Sequence, residues 1–517
     1  MGRQLRDLLS GLAGVAAGSL PDCLVTGVVE DSRRVLPGSL FVAIPGSGVD
    51  GHRFIPQAIQ AGACAVVGQE PIGDLGIPYV RVADSRRALS ILAAGWWGFP
   101  ARKMVMIGVT GTDGKTTTCS LIFEILKQGG VSAGMISTVH ARIGREVVDT
   151  GFHVTTPGAP GLQALLARMV QAGITHCVLE VTSHALAQRR VEACEFDIGA
   201  VTNITREHLD YHGSFEAYRE AKSGLLADLA NSSPKPYAYR KLAVLNREDP
   251  SFEFLQSRST AEVLSYGRSG LSQVRGTDIS LGPAGLQMQV QFLDTRFALQ
   301  SPLLGAYNAF NILAAVGVTA GALGLPGETV AEGVHALRSV PGRMELIDLG
   351  QDFTAIVDFA HTPNALKAAL EAARGLTTGR VIAVFGSAGV RDREKRGSMA
   401  GISIDLADFT LLTAEDPRTE EVKEILAEMA SGARGRGGVE GKDFWKVPDR
   451  SQAILSAVQL AQPGDLVIVC GKGHEQSMCF GEVEYPWDDR LALRAAIAER
   501  LHLEGWPMPR LPTWGTG

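Results

Sequence analysis

The residues that most directly predict chemistry form a short run, Gly111-Thr112-Asp113-Gly114-Lys115-Thr116, which Thr117 follows. Glycine lets backbone amides close around phosphate oxygens, and a helix that starts here adds partial positive charge. Lys115 would face the β- and γ-phosphates of a nucleotide, and the Thr116 hydroxyl would bind Mg²⁺. The spacing differs from GxxxxGK[ST], and an ordinary glycine-rich turn with a surface lysine is the alternative. The threonines directly after the lysine favour phosphate binding.

A buried strand and a helix must hold this loop in place. The segment KMVMIGVTGTDGKTTTCSLIFEILKQGG has an apolar run, the glycine turn and a helical pattern that ends at Gly129-Gly130. Further strands are predicted at 176–181, 197–204 and 241–246, so we expect a mostly parallel sheet covered by helices. Residues 231–236 have the composition of a surface loop.

A second α/β region is predicted beyond Pro341-Gly342. Its apolar strands alternate with helical stretches and lie at 354–359, 380–386, 409–414 and 465–471. One of these helices, NALKAALEAARG, is expected to end on Gly375, and residues 431–438 are expected to form a glycine-arginine loop. This pattern predicts a doubly wound domain with ligands at the carboxyl ends of its strands.

The first hundred residues predict short strands and turns, with a helix from Phe54 to Ala61 and a boundary at 96–100. The N-terminus has basic residues before an apolar stretch, as a signal peptide does. Asp7 interrupts that stretch, and leucines recur at helical spacing from Leu5 to Leu12, so a short amphipathic helix is the preferred interpretation.

Composition limits the class of protein. The 517 residues are 45% hydrophobic and 20% charged, which is typical of a globular chain of several domains. The net charge of −6 argues against a nucleic-acid partner. No apolar run is long enough to span a membrane. The seven cysteines are scattered without a CxxC pair, so reduced thiols in the cytoplasm are expected.

Motifs spread along almost the whole chain resemble those of the Mur ligase family. They are GVTGTDGKTTT, DSRRVLPGSLFVAIPGSGVDGHRFI (31–55), TTPG (155–158), EVTSHALAQRRV (180–191), TNITREHLDYHGSFEAYREAKSGLL (202–226), LLGAYNAFNILAA (303–315), PGRME (341–345), DFAHTPNAL (358–366), FGSAGVRDREKR (385–396), EDPRTE (415–420) and GKGHEQ (471–476). The resemblance implies an α/β protein of three domains: a UDP-binding domain (1–99), a central P-loop ATPase-like domain (100–339) and a Rossmann-like C-terminal domain (340–517).

The resemblance also implies the reaction. Such enzymes use ATP to convert a carboxylate into an acyl phosphate, which an incoming amine then attacks. The motifs point to the branch that adds a diamino acid to UDP-N-acetylmuramoyl-L-alanyl-D-glutamate during peptidoglycan synthesis, with roles in cell shape and division. meso-Diaminopimelate is favoured, and L-lysine and L-ornithine are the alternatives.

Roles for ATP and metal residues follow from the resemblance. Lys115, Lys222, Arg343 and Asp358 are the implied catalytic residues. The residues implied to bind ATP are Gly111, Thr112, Gly114, Lys115, Thr116, Thr117, Asn308, Asn311 and Arg343. The implied Mg²⁺ ligands are Thr116, Glu180, His208 and a carbamylated Lys222. A solvated helix lysine, a polar histidine, a helix cap at Asn308 and structural salt bridges of Arg343 and Asp358 are the structural alternatives.

The substrate residues follow in the same way. The UDP-sugar peptide is expected to contact Ser32, His52, Thr155, Thr156, Ser183, Gln188 and Arg190. The amino acid is expected to contact Arg391, Glu415, Asp416, Arg418, Gly471 and Glu475. Members that add meso-diaminopimelate usually have Asp-Asn-Pro-Arg where this chain has Glu415-Asp416-Pro417-Arg418, and commonly GGDRD where it has AGVRD (388–392). Both departures concern the residues that would select the amino acid.

Two alternatives remain. One is another amide ligase of the same superfamily, and the other is a catalytically silent partner protein. Retention of Lys115, Thr116, Glu180, His208 and Lys222 together argues against the silent protein. The expected partners are small-molecule substrates only, with no nucleic acid and no membrane, and a cytoplasmic monomer is expected.

Overall fold

The computed structural model describes residues 2–12, 22–46, 48–148, 155–282 and 284–514. The chain divides into two compact units. The first unit comprises residues 1–115, 126–265 and 316–325, and the second comprises residues 116–125, 266–315 and 326–517. Among the residues that the structure describes, no helix is both long and apolar enough to cross a membrane.

The N-terminal part of the first unit is a small parallel sheet with helices. β1 (Arg3–Gln4) and β2 (Leu24–Val25) form a separate antiparallel pair. The strands of the sheet are β3 (Gly27–Val29), β4 (Ser39–Val42), β5 (Ala65–Gly68) and β6 (Tyr79–Arg81), and the helices are α1 (Leu5–Leu9), α2 (Ile55–Gln60) and α3 (Ser85–Trp96). β3 to β6 pair in that order, in parallel. The short N-terminal helix is confirmed, with buried Leu5, Leu8 and Leu9. Sequence patterns did not predict α3, which Asp84 caps.

The rest of the first unit carries a larger sheet. Its strands are β7 (Val105–Thr110), β8 (Ala133–Ile136), β9 (Ala141–Ile143), β10 (Glu146–Val148), β11 (His176–Glu180), β12 (Ile198–Val201), β13 (Leu242–Asn246) and β14 (Glu262–Gly267). The order is β10-β9-β8-β11-β7-β12-β13-β14. β7 lies between the parallel neighbours β11 and β12, as the sequence predicted.

Helices cover this sheet and lie at its strand ends. They are α5 (Ala159–Gln171), α6 (Ser183–Ala187), α7 (Leu209–His212), α8 (Phe215–Ser223) and α9 (Phe252–Arg258). The helix α4 (Lys115–Gln128) follows β7 in the chain, and its residues 116–125 belong to the second unit. The last residues of β14 belong to the second unit.

The second unit begins with an antiparallel meander that sequence patterns did not predict. It consists of β15 (Val274–Gly282), β16 (Gly285–Phe292) and β17 (Thr295–Ser301), followed by α10 (Asn308–Val316) and α11 (Gly327–Ala336). A π-helix, Gly317–Ala322, separates these two helices.

The remainder of the second unit is the expected doubly wound domain. Its strands are β18 (Glu345–Leu346), β19 (Thr354–Asp358), β20 (Val381–Phe385), β21 (Phe409–Leu412), β22 (Phe444–Lys446), β23 (Leu466–Cys470), β24 (Ser477–Phe480) and β25 (Val483–Pro486). The main sheet has the order β18-β19-β23-β20-β21-β22, and β19 to β23 run parallel.

Helices of this domain bury two apolar clusters. They are α12 (Pro363–Leu376), α13 (Glu394–Leu406), α14 (Val422–Gly435), α15 (Arg450–Leu460) and α16 (Asp489–Arg500). One cluster contains Leu370 and Phe385, and the other contains Val384 and Ile454. Val384 and Phe385 are adjacent on β20 and therefore point to opposite faces of the sheet.

Two local predictions were wrong. α12 continues through Gly375 to Leu376, and α14 continues to Gly435, so most of 431–438 is helical. Buried Met429, Ala430 and Ala433 extend the apolar face of α14, which outweighs the weak helix propensity of glycine. The segment 231–236 is largely the predicted surface loop, with Asn231, Pro234 and Pro236 exposed, but the buried side chain of Lys235 pairs with Asp197 at 3.0 Å.

Candidate active site

The glycine loop connects β7 to α4 and adopts a shape that only glycine permits. Gly111 has φ 148°, and a Cβ added there would lie 1.8 Å from Thr202 Oγ1. Thr202 donates from that hydroxyl to the Asp113 carbonyl at 2.6 Å, and the Asn203 side chain accepts from the Asp113 amide at 3.0 Å. Gly114 also has positive φ, at 81°. Residues after β12 therefore hold the loop against the end of β7.

Lys115 and the threonines lie on this loop. Lys115 Nζ donates to the carbonyls of Gly111 at 3.1 Å and Thr112 at 2.7 Å. Thr116 and Thr117 are buried in the first turn of α4. The arrangement gathers backbone amides, a cation and hydroxyls at a helix N-terminus, which is the chemistry that a phosphate requires.

Lys222 is a buried lysine beside the loop. Its side chain lies on α8, and its Nζ donates to the Gly111 carbonyl at 2.6 Å. The ammonium position also lies 4.6 Å from the centre of the Tyr218 ring. Burial, with the nearby charge of Lys115, holds the pKa of Lys222 well below its usual value. Burial and the neighbouring cation both favour the uncharged, nucleophilic form of this amine.

Two potential metal ligands lie near Lys222. Glu180 offers a hard carboxylate oxygen, and His208 offers a borderline imidazole nitrogen. Glu180 ends β11, is 1% exposed, and accepts from the Thr138 amide at 3.0 Å. His208 has φ 54°, and burial lowers its pKa against the opposing charge of Glu207. A neutral imidazole can bind a metal ion.

The residues expected to hold Mg²⁺ do not form a complete set of ordinary ligands. Within the described parts of the chain, no three His, Cys, Asp or Glu side chains are grouped to hold a metal ion. Oxygen donors suit Mg²⁺. The donor set therefore fits Mg²⁺ best if Lys222 itself contributes oxygen atoms.

Ser32 and His52 lie in the N-terminal sheet region of the first unit. Ser32 donates from Oγ to Gln57 Oε1 at 3.1 Å. His52 Nε2 accepts from the Gln69 amide at 3.0 Å, and Nδ1 lies 2.7 Å from Asp50 Oδ1. Both ring nitrogens of His52 thus have protein partners, so the ring is suited to hold the local backbone in position.

The residues expected at the peptide end of the substrate do come together. Arg190 donates to Gln188 Oε1 from Nε at 2.9 Å and to the Thr156 carbonyl from Nη1 at 2.8 Å. Thr156 donates from Oγ1 to the Glu180 carbonyl at 3.0 Å. Ser183 Oγ lies 3.1 Å from His212 Nε2. Thr155 precedes this network and is half-buried.

Glu30 belongs near this network and was missed by the sequence predictions. Burial raises its pKa, and the charges of Arg190, Arg86 and Arg34 oppose that shift. Its position directly before the DSRR motif was the available signal.

In the second unit, Asn308 and Asn311 lie on one face of α10. Both are buried, and Asn311 Nδ2 donates to Asn308 Oδ1 at 2.8 Å. Asn308 also donates to the Leu304 carbonyl at 2.7 Å. These bonds hold the start of α10, as the helix-cap alternative for Asn308 predicted. The two amide side chains also supply polar groups that could contact a nucleotide base.

Arg343 and Asp358 lie in the same unit and interact electrostatically. Arg343 Nη2 lies 3.4 Å from Thr116 Oγ1, and its guanidinium lies 4.2 Å from the centre of the Phe359 ring. Asp358 accepts from the Met344 amide at 2.7 Å. Burial raises the pKa of Asp358, and Arg343 opposes this. Asp358 thus orders the backbone next to Arg343.

The residues expected to bind the amino acid cluster at the carboxyl ends of β21 and β23. Gly471 has φ 116°, and a Cβ there would lie 2.9 Å from Glu415 Oε2. Gly389 donates from its amide to the Asp416 carbonyl at 3.0 Å, which ties the AGVRD loop to this cluster. Arg391 is exposed on that loop.

Lys472 also belongs to this cluster and was missed. Its Nζ pairs with Asp416 at 2.9 Å and with Glu475 at 2.5 Å. It is the lysine of GKGHEQ, so the motif contained the signal.

Three parts of the chain match domains of a known protein family. Residues 24–97 match the Mur ligase family catalytic domain, residues 109–319 match the Mur ligase middle domain, and residues 342–473 match the Mur ligase glutamate ligase domain.

Two curated relatives match nearly end to end. A UDP-N-acetylmuramyl-tripeptide synthetase of Roseiflexus sp. (strain RS-1) is 44% identical over 92% of this chain and 95% of its own length. A UDP-N-acetylmuramoyl-L-alanyl-D-glutamate–2,6-diaminopimelate ligase of Geobacillus thermodenitrificans (strain NG80-2) is 40% identical over 96% of this chain and 100% of its own.

Solved structures match as well. The structure of a UDP-N-acetylmuramoyl-L-alanyl-D-glutamate–2,6-diaminopimelate ligase matches with a TM-score of 0.65 and 30% identity over 93% of this chain and 96% of that one. The MurF ligase of Thermotoga maritima in complex with ADP matches with a TM-score of 0.58 and 20% identity over 86% of this chain and 93% of that one, which shows a shared fold. By its three matching domains and its full-length relatives, this chain belongs to the Mur ligase family of ATP-dependent amide ligases.

Proposed function

We propose that this enzyme joins meso-diaminopimelate to the D-glutamyl γ-carboxylate of UDP-N-acetylmuramoyl-L-alanyl-D-glutamate in peptidoglycan synthesis. The observation that carries the proposal is the pairing of Lys115 and the buried Lys222 on one glycine-loop carbonyl, in a chain whose relatives bear tripeptide-synthetase and diaminopimelate-ligase names.

In the first step, the substrate carboxylate attacks the γ-phosphorus of ATP, and ADP leaves. The amides of the glycine loop and Lys115 hold the phosphates, and Arg343 stabilises the charge on the transferring phosphoryl group. This reaction depends more on positioning and charge neutralisation than on covalent help from the protein. The amine of the incoming amino acid then attacks the acyl phosphate, and a tetrahedral intermediate expels phosphate.

Lys222 is proposed to carry a carbamate. Its neutral amine reacts with CO₂ to form an N-carboxylate and releases one proton, so a buried base becomes an anionic oxygen donor. Mg²⁺ would be held by Thr116, Glu180, His208 and this carbamate, and it would let the anionic phosphate and carboxylate approach each other.

The UDP-sugar peptide is proposed to be bound within the first unit. The Arg190–Gln188 fork, with Thr155, Thr156 and Ser183, would take the muramoyl-peptide end. Ser32 would take the uridine-diphosphate end, where His52 fixes the backbone. The support for the peptide end is the hydrogen-bonded network from Arg190 to Thr156.

Arg418 is the main reason to favour meso-diaminopimelate over L-lysine or L-ornithine. Its planar guanidinium suits a second carboxylate, which neither of the other two amino acids has at its distal end. Glu415, Gly471, Glu475 and Arg391 would complete this pocket.

The proposal extends to the cell. ATP and the UDP-sugar peptide are phosphorylated metabolites, which favours a cytoplasmic enzyme. We further propose that it is a monomer and that it supports cell shape and division. Size-exclusion chromatography with light scattering tests the monomer.

The test is phosphate release from ATP with UDP-N-acetylmuramoyl-L-alanyl-D-glutamate and each of the three amino acids. We expect the highest kcat/KM with meso-diaminopimelate, and a loss of about 100-fold in that value for Arg418→Ala, because a charge-assisted fork contributes about 3 kcal/mol. Arg436→Ala, which changes an exposed arginine of the same unit, should leave all values unchanged. No turnover with any of the three amino acids would refute the proposed function.

A further inference from the structure

Lys472 is a buried cation between two acidic residues of the amino-acid cluster. Its side chain is 1% exposed, while those of Asp416 and Glu475 are 12% and 26% exposed. Burial works against its charge, but Glu475 and Asp416 outweigh burial and raise the pKa of Lys472. Asp416 Oδ1 also accepts from the Cys479 amide at 3.0 Å. The Asp416 carboxylate is therefore already engaged by protein groups, a shared ammonium and a backbone amide.

A rigid platform holds this pair. Arg450 is fully buried and donates to the Ala414 carbonyl after β21 at 3.1 Å and to the Cys470 carbonyl at the end of β23 at 2.8 Å. Asp416 and Lys472 each lie two residues beyond these carbonyls. Their ion pair is thus held at the edge of the sheet. It differs from an ion pair between mobile surface side chains, which contributes little to stability.

Two other groups of the cluster have unused hydrogen-bonding capacity. Among the described residues, Glu415 Oε2 and Arg418 Nε are buried atoms without a hydrogen-bond partner. The Arg418 backbone is held by the Cys479 carbonyl at 3.0 Å and the Gly481 amide at 2.7 Å, with φ 54°. Glu415 thus offers a buried acceptor and Arg418 a buried cationic donor, three positions apart in the chain. Both atoms can still bind a ligand.

We propose that Lys472 is a specificity-determining residue, which cancels the charge of Asp416 so that Arg418 and Glu415 receive a substrate end bearing both a carboxylate and an ammonium. This inference rests on the proposed function and names the feature that selects its amino acid. The substrate class is an amino acid with a zwitterionic distal end, in preference to one with a distal ammonium alone.

The electrostatic reason is the balance of charge around Arg418. Without Lys472, Asp416 and Glu475 would be uncompensated anions next to Glu415, and the cluster would attract an ammonium and repel a carboxylate. With Lys472 in place, Asp416 no longer acts as a free anion, so the aspartate in EDPR does not by itself indicate a lysine-adding enzyme.

The test is the ratio of kcat/KM for meso-diaminopimelate to that for L-lysine, measured in the native enzyme and in Lys472→Met. We expect the ratio to fall about ten-fold or more in the variant, through a higher KM for meso-diaminopimelate and a gain with L-lysine, because the loss of one partner leaves a buried charge unpaired. The KM for ATP should stay unchanged.

Two further variants separate charge from folding. Lys472→Met/Asp416→Asn removes the anion together with its cation, so it should recover most of the native ratio, even if the single variant folds poorly. Lys235→Met breaks an equally buried lysine pair, that with Asp197 in the first unit. It should lower thermal stability without changing the ratio.

Each contrary outcome has a distinct meaning. An equal loss for both amino acids in Lys472→Met, with no recovery in the double variant, would show a merely structural lysine and overturn the inference. A native enzyme that prefers L-lysine would also overturn it, while leaving the ligase activity intact. A native enzyme that uses none of meso-diaminopimelate, L-lysine and L-ornithine would instead refute the proposed function.

Discussion

The amine of Lys222 donates to the backbone carbonyl of Gly111 across 2.6 Å, so a buried lysine of α8 is held directly against the glycine loop. The same carbonyl accepts from Lys115 at 3.1 Å. Burial is the main cause of the lowered pKa of Lys222, and the positive charge of Lys115 beside it lowers that pKa further. Lys115, on the loop that would hold phosphate, thus also helps to lower the pKa of Lys222.

Replacement of Lys222 tests the carbamate. Lys222→Ala should lower kcat by about 100-fold or more, since a metal-binding anion is removed. Millimolar acetate or excess bicarbonate should restore part of the rate, because a small carboxylate can occupy the vacated space. The rate of phosphate release against carboxylate concentration is the measurement.

Lys115→Ala is the matched control for this rescue. It removes a cation that faces phosphate, so it should be equally slow and gain nothing from acetate. Full activity of untreated Lys222→Ala would rule out a carbamate requirement.

Gly111 should tolerate no side chain. In Gly111→Ala the Cβ would lie 1.8 Å from Thr202 Oγ1, so we expect a loss of about 3 kcal/mol or more in unfolding free energy and loss of ATP turnover. Gly130→Ala is the comparison, because Gly130 has φ 70° with no described heavy atom within 4 Å of the added Cβ. Its cost should be about 1 kcal/mol, as measured by urea denaturation. Equal costs at the two sites would contradict the steric argument.

Arg343 should act on the rate of phosphoryl transfer more than on nucleotide binding. Arg343→Ala should lower kcat by about 100-fold with little change in the KM for ATP, because its charge would matter most in the transition state. Arg338→Ala, an exposed arginine in the same unit, should behave as the native enzyme. If only the KM for ATP rises, Arg343 binds the ground state and the assigned role is wrong.

His176 should weaken the fold in acid. Burial lowers its pKa from 6.5 to about 4, against the attraction of Asp197, which itself pairs with Lys235. Between those values the unfolded chain binds more protons than the folded one, so stability falls as pH drops from 6.5 towards 4 and does not change on this account above 6.5.

A glutamine variant measures that contribution. Between pH 7.5 and pH 4.5 the unfolding free energy of His176→Gln should fall less than that of the native protein, by on the order of 2 kcal/mol. Urea denaturation at each pH measures this difference. His502→Gln, at an exposed position, should keep the native pH dependence. Parallel curves for His176→Gln and the native protein would show that this histidine does not titrate as described.

Sequence patterns predicted the elements whose signals are local. The buried strand before Gly111 and the helix after Lys115 were correct, and so were the parallel strands of both large sheets, because apolar runs, glycines and helical periodicity act over a few residues. The ordered motifs also identified the family. The residues of these motifs could be named, but their contacts could not.

Tertiary structure decided whatever depends on partners far away in the chain. The extension of α14 past Gly432 and the burial of Lys235 follow from packing against distant residues, which outweighs local glycine and proline signals. The sequence by itself determined that Lys222, Asp416 and Lys472 are present. Only the fold lowered the pKa of Lys222 and placed Lys472 on Asp416, because burial and the distance between charges exist only once the strands are assembled.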